Sequence, residues 1–482
     1  MISFVQLSDI SMKRTLSLVF VILIAVCLNS LIVCAETLNS QSWLKSTSEG
    51  WKIMPLLNVG DAVGKKNYRM VGIPDGLGAL DNGDGTLSIY MNHEIGKDQG
   101  KSRRHFGRGG FVSHWTLDIA TLKITAGEDL IQQVKIWSPE MQQYMTSPAY
   151  SFNRLCSADL PPLSALYDVA SGKGFNGRLF MNGEEDRSGG RAFAHVVSGE
   201  QKGISYELPY LGKFAWENAV ANLSTGIKTV VMGMDDSPGG QVYMYVGEKR
   251  AMGNPAEQAG FMGGNLYAVK VDGKNFSMVN LSDVSAMSGD ELEQAGRRLG
   301  VANFMRPEDG AWDVNHPNIF YFATTDKIDG TSQLFQLTFE DITQPEKGGF
   351  IKTVLNARDT GAQMFDNITV AGDGKILVEE DPGDHPHMAA IWQFDPNTGK
   401  AEKILSVTPE AFLNKNSPEF LTQDEENSGI IEVTDLLRNA PWFEKNKRYF
   451  LGSLQVHAKS SDPELVEGGQ LYLISGPDAV SK

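Results

Sequence analysis

Carboxylates recur at one kind of place in this sequence: the end of a short apolar strand, just before a glycine-rich loop. Glu94 closes TLSIYMNHE, Glu184 and Glu185 close RLFMNGEED, and Asp235 and Asp236 close TVVMGMDD. Glu379, Glu380 and Asp381 stand in KILVEEDPGDH, and Glu425 and Glu426 in TQDEENSG. Adjacent carboxylates repel unless a cation or a proton sits between them. Several converging on one axis make a hard-cation site, because Ca2+ takes roughly six to eight oxygen ligands. For any single pair, keeping a loop soluble is the plainer role. A second pattern is FMRPEDGAWD (304–313). The planar fork of Arg306 suits phosphate or carboxylate, and Glu308, two residues on, points the same way on an extended segment. A structural Arg–Glu contact is the alternative. LGKFAWENAV sets Glu217 in an apolar run, which is costly if the carboxylate is buried without a partner. MFDNITV places Asp366 and Asn367 just before a strand.

Other polar features carry less. LDNGDGTLS (80–88) is Asp-rich, yet Asp-Gly between strands reads as a hairpin turn. The eight His include no HExxH or comparable zinc spacing, and His385 and His387 flank a proline in a loop. No Gly-x-Ser-x-Gly elbow, phosphate-cradling loop or Cys-x-x-Cys pair is present, which weighs against serine-hydrolase, nucleotide-switch and thiol-redox chemistry.

The elements that must position these residues are hairpins. Six strand–loop–strand units recur, at 86–119, 178–197, 229–247, 319–339, 375–394 and 448–475. Their first strands end at Glu94, Glu185, Asp236, Asp326, Asp381 and His457. The spacing is uneven, so the repeat is structural, with insertions of unequal length. An all-β, six-bladed propeller with long inter-blade loops would bring six such ends around one axis. Helix is expected only at 285–300, SAMSGDELEQAGRRLG.

The composition agrees with an exported globular chain. Of 482 residues, 43 are Lys or Arg and 59 Asp or Glu, a net charge of −16, which argues against a nucleic-acid or anionic-membrane partner. Lys13 and Arg14 precede the apolar run TLSLVFVILIAVCLNSLIVCA, a signal peptide (1–35) with Val33 and Ala35 fitting a cleavage site; Met12 is an alternative start. A spanning anchor is the rival reading, since the run is long enough to cross a bilayer. Cleavage leaves one domain over 36–482, periplasmic or secreted, free of the membrane and monomeric. Cys27 and Cys34 leave with the signal, so Cys156 is the lone thiol and no internal disulfide is possible. It is either a buried inert residue, a metal ligand or a nucleophile.

The order NHE, NGEE, AWEN, a strand-end DD, RPE and FDN, from about Gly76 to His457, resembles the PhoX family of alkaline phosphatases. That resemblance implies a six-bladed propeller whose axial pocket holds an iron–calcium cluster (Fe3+ and Ca2+) and hydrolyses small phosphate esters. It implies Glu94, Glu217 and Glu308 as metal ligands, Cys156 as an iron ligand, Asn92 near the substrate phosphate and Arg306 as the phosphate clamp. Glu185, Asp236 and Asp381 complete the expected metal set as equivalent strand ends. The chain departs from the family in lacking its Thr-Pro-Trp-Gly-Thr run before the acidic pair, in having Trp216 where a His often precedes the Glu, and in a signal without twin arginines. The alternatives on the same scaffold are a calcium-dependent esterase or lactonase and a non-catalytic, calcium-stabilised binding propeller.

Overall fold

Antiparallel meanders account for nearly all the regular structure. The computed structural model describes residues 41–187 and 189–478; the signal-peptide reading lies outside them. Among the described residues no helix is long and apolar enough to cross a membrane. All six expected hairpins form, for example Thr86–His93 with Phe111–Asp118 and Lys447–Val456 with Gly468–Pro477. In five meanders, however, the first strand of the expected hairpin is the second strand. An inner strand precedes it: Pro74–Asp81, Trp216–Ala221, Pro307–Trp312, Phe365–Val370 and Glu425–Glu432. These strands escaped a hairpin reading because polar residues at their starts look like turns.

The sheets are not six separate units. Two meanders, beginning at Trp216–Ala221 and Pro307–Trp312, fuse into one nine-stranded sheet through Asn275↔Phe350 and Phe276↔Gly349. Two others are completed by the N-terminal segment. Leu44–Ser46 pairs with Lys400–Val407, and Lys52–Asn58 pairs with Gly468–Pro477, which ties the beginning of the described chain to its end. The sheet of Leu179–Gly183 takes its outer strands from earlier in the sequence, so Gln133–Ser138 runs parallel to Ile204–Glu207.

Packing follows chain order. One apolar cluster joins Tyr90 and Val112 to Phe180 and Phe193. The next joins Met181 and Ala194 to Trp216 and Val231. Then come Met232 with Phe320, Tyr321 with Val378, and Leu377 with Phe450. A last cluster links Leu451 and Leu471 back to Leu77 and Ile89. Burial on both faces explains why central strands such as TVVMGM read as continuous apolar runs rather than alternating ones. Inner strands of neighbouring meanders touch. At Gly183 the approach is so close that a Cβ would lie 2.3 Å from that of Trp216. The expected helix forms over Gly289–Leu299, with Ser288 and Glu291 as a capping box, away from the centre.

Candidate active site and metal centre

The inner strands share one device. Asp75, Glu217, Glu308, Asp366 and Glu426 are each the second residue of their strand. In the first four, two residues face one across the ladder directly after that strand's first pair. Pro74 pairs with His93 and Leu77 with Met91, and the same skip occurs at Trp216/Ala219, Pro307/Gly310 and Phe365/Ile368. In the fifth the irregularity falls between Asn427 and Gly429. Such a bulge re-aims side chains out of the pleat. In the remaining meander the irregular segment 155–159 takes the inner position, bridged at Leu155↔Glu184 and Asp159↔Met181, and it carries Cys156. Gly76 lets this segment lie against the first sheet, since a Cβ there would meet Ala158 N at 2.3 Å.

Two residues before four of these positions, the backbone is left-handed at a non-glycine residue. The angles are φ +55° at Ile73, +50° at Arg154, +57° at Arg306 and +46° at Met364. Each costs on the order of 1–3 kcal/mol and persists only because the surrounding sheet over-determines it. Two of the four are the arginines of the site.

The side chains converge in three sets. Donor atoms of Asp75, Glu94 and Cys156 lie within 4.8 Å of one another, as do those of Glu217, Glu308 and Asp366, and those of Asp366, Asp381 and Glu426. Asp366 belongs to two sets, so the all-oxygen groups are continuous. Arg154 donates through Nε to Glu94 Oε1 at 2.7 Å, and its Nη2 also contacts Glu185. Cys156 Sγ donates to Glu185 Oε2 at 3.2 Å. Arg306 clasps Asp236 through Nε (2.7 Å) and Nη2 (3.0 Å) and reaches Glu308 at 3.1 Å. His457 lies 3.6 Å from Glu426 and 2.7 Å from Glu467. Ser157 donates to Glu217 at 2.5 Å and accepts from Asn367.

Charge is unbalanced here. Among the described residues, the cations facing these carboxylates are Arg154, Arg306 and His457, and the carboxylates outnumber them. Burial, reinforced by Glu94, Glu426 and Glu217, holds the Asp75 carboxyl well above its usual range. Burial raises Glu217, Glu308 and Asp366 in the same way, and Asp236 adds to the rise at Glu308. Burial lifts Glu185 to about 8 against the pull of Arg154, and lifts Asp381 to about 7 with help from Glu426. Glu94 goes the other way: burial raises it, but Arg154, Gln455 and His457 outweigh that and lower it. Burial and the neighbouring Glu94 and Glu185 push the Cys156 thiol up. Burial lowers His457, but Glu426 and Glu467 outweigh it and raise it to about 11. Asp75 Oδ1 is buried without a donor. Three converging donor sets and an orphaned buried oxygen are groups that could hold a cation.

The sequence-predicted residues sort as follows. Glu94, Cys156, Glu217, Glu308 and Asp381 enter the three sets, while Glu185 and Asp236 border them through the arginines. Asn92 is fully buried. Its Nδ2 donates to Cys156 O (2.5 Å) and Ser157 O (3.3 Å), and its Oδ1 accepts from Asn182, so its amide is committed to holding the Cys156 segment. Asp326, expected at an equivalent strand end, instead accepts from Thr331 within its own loop. In each acidic pair one member supports its surroundings: Glu184 accepts from Tyr150 and Asn153 N, Glu380 from Gln363 N, and Glu425 from Ala389 N. Asp75, Arg154 and Gln455 were not anticipated. Gln455 donates to both Asp75 (3.1 Å) and Glu94 (2.9 Å). A signal existed for Asp75: PDG, WEN, PED and FDN repeat an acid followed by Gly, Asn or Asp at four strand starts.

The family model of alkaline phosphatase PhoX matches residues 200–333, the segment holding Glu217, Asp236, Arg306 and Glu308. No curated protein matches the chain in sequence. Among solved structures, Pseudomonas fluorescens PhoX in complex with vanadate, a transition-state analogue, is similar over 90% of this chain and 97% of that chain, with 11% identity and a TM-score of 0.64. At that identity the likeness is one of fold. A Dyadobacter fermentans protein of unknown function is similar over 89% of this chain and 100% of that chain, at 7% identity and a TM-score of 0.44.

Proposed function

We propose that this chain, which belongs to the PhoX family, is a metal-dependent phosphomonoester hydrolase acting at the ring of strand-start carboxylates. The observation that carries the reading is the convergence of these carboxylates and Cys156 in three buried or half-buried donor sets flanked by two arginines. We take the fold as a six-bladed propeller, with the nine-stranded sheet as two fused blades, and the domain as 36–482, exported by the 1–35 signal and monomeric.

The donor sets fit two kinds of cation. Glu217, Glu308, Asp366, Asp381 and Glu426 offer only oxygen, which suits calcium. Asp75, Glu94 and Cys156 include a thiol, which suits a softer or more highly charged ion such as iron. When bound, such ions supply charge neutralisation and acidify water. The protein's own part is positioning. Arg306 Nη1 makes no hydrogen bond among the described residues while Nε and Nη2 are fixed on Asp236, so one face of its fork is held ready for a phosphoryl oxygen. Asn92 keeps the Cys156 segment in register, and Gln455 spans Asp75 and Glu94.

Metal analysis of the purified protein, followed by hydrolysis of an aryl phosphate and an aryl ester, tests the reading. Iron with calcium and turnover of the phosphate alone is the expected result. Ester turnover with calcium alone would favour the esterase or lactonase reading, and no turnover of either would favour a binding propeller. Cys156→Ser is expected to remove iron and any thiolate-to-iron colour while the fold persists; an iron-free protein whose phosphatase activity survives that change would remove Cys156 from the centre.

A further inference from the structure

In a chain with a net charge of −16, the loop at 95–110, IGKDQGKSRRHFGRGG, holds five Lys and Arg against one Asp. It directly follows Glu94. Backbone and side-chain bonds fasten it to the strip 151–154, which ends at Arg154. Arg108 N donates to Ser151 Oγ at 3.2 Å, and Lys97 N to Asn153 Oδ1 at 3.1 Å. Asn153 Nδ2 in turn donates to Asp186 Oδ2 at 3.3 Å, which brings the residue before Arg187 against the same strip. Lys97, Arg108 and Arg187 are exposed. Other basic residues of this loop are spoken for: Lys101 pairs with Glu464 and Arg104 with Glu128. Among the described residues, Lys97, Arg108 and Arg187 form no ion pair. Arg154, whose side chain is 47% exposed, is ion-paired to Glu94 and Glu185, so the cations of the strip that form no ion pair among the described residues are Lys97, Arg108 and Arg187, beside Asp98 and Asp186. The loop following Ile376–Glu380, across the centre, is DPGDHPH and holds no Lys or Arg.

We propose that this rim is an anion subsite, and that the substrate is a phosphomonoester whose leaving group is itself anionic. The inference rests on the phosphatase reading above. The transferred phosphoryl would lie toward Arg306, and the second negative group of the leaving alcohol would rest on the rim of Lys97, Arg108 and Arg187. Exposed charges of this kind act through affinity and association rate and are weakened by salt.

The test compares two near-isosteric substrates, 3-phosphoglycerate and glycerol 3-phosphate, on the metal-loaded enzyme at low salt. The expected result is roughly tenfold higher kcat/KM for 3-phosphoglycerate, carried by KM and shrinking as salt rises, from three exposed contacts of modest size. In the combined Lys97→Gln, Arg108→Gln, Arg187→Gln variant the ratio should fall to about one. A wild-type ratio at or below one, or a ratio unchanged in the variant, overturns the subsite. If neither these substrates nor an aryl phosphate turns over, the phosphatase reading fails by itself, and calorimetry with 3-phosphoglycerate decides the subsite separately. Binding weakened roughly tenfold by the triple change supports it; equal or undetectable binding refutes it.

Discussion

Arg154 and Arg306 occupy equivalent places, each left-handed and two residues before a position in the central ring, yet their surroundings differ. Arg306 is fixed on Asp236 by two hydrogen bonds, touches Glu308 and is 28% exposed, beside the all-oxygen sets. Arg154 joins Glu94 to Glu185 beside Cys156, is 47% exposed and opens onto the basic rim. A shared backbone device therefore sets one arginine between Asp236 and Glu308 and the other, more exposed, between Glu94 and Glu185. The first arrangement suits charge that develops during reaction, and the second suits recognition.

Arg306→Lys is the largest expected way to break this contrast. Lysine keeps the charge but loses the fork, so kcat on an aryl phosphate should fall by about 100- to 1,000-fold. Arg154→Ala should cost about tenfold, mostly through metal retention at Glu94 and Glu185. Equal losses from the two changes would mean that the two sides do not divide the work.

Metal removal probes the oxygen-rich side next. Asp366 belongs to two donor sets and its carboxyl is raised by burial together with Glu308 and Glu426. Asp366→Asn removes that repulsion. The chelated variant should therefore unfold at a temperature several degrees above the chelated wild type, and added calcium should stabilise it less than wild type. Differential scanning calorimetry with and without calcium reads both arms. A variant that calcium stabilises as fully as wild type would take Asp366 out of the metal set.

What was legible in the sequence follows the same division. The hairpins are readable because their strands are long apolar runs bounded by turn residues, Glu94 and Glu217 because each ends or breaks such a run, and Glu308 because it follows Arg306 by two residues in FMRPEDGAWD. The inner strands are obscured by the bulges near their starts: PDG reads as a turn, and only the register, with two residues facing one, puts Asp75 in a strand. Arg154 lies in an irregular stretch where no periodicity applies, and its place becomes evident only through the bridges that set 155–159 in an inner position. Asp326 shows the reverse error, since a strand-end acid with a nearby Thr can satisfy itself within its own loop.

The smallest expected effect concerns the support beneath the Cys156 side, which the Arg306 side lacks. His195 is fully buried; its Nε2 donates to Asn182 Oδ1 (2.8 Å), whose amide holds Asn92, which in turn holds Cys156 O. Its Nδ1 accepts from Ser205 at 2.6 Å, so the neutral ring has both partners it needs. Burial, with His105 adding to it, lowers His195 to about 3 from the ordinary 6.5. The unfolded chain therefore binds a proton that the folded chain refuses between those values. Stability is unaffected by this group above about pH 6.5 and falls as pH drops from there toward 3, by up to about 1.4 kcal/mol per pH unit. On the opposite side the corresponding supports are Asn218, Asp309 and Asn367, with no imidazole among them. Denaturant unfolding of metal-free protein between pH 4 and 6.5 should accordingly give a shallower acid slope in His195→Gln, by about one proton. The variant should lose stability at neutral pH through the broken relay to Asn182. An unchanged slope would mean that His195 protonates without cost in the folded state, and that the Cys156 side is no more acid-sensitive than the Arg306 side.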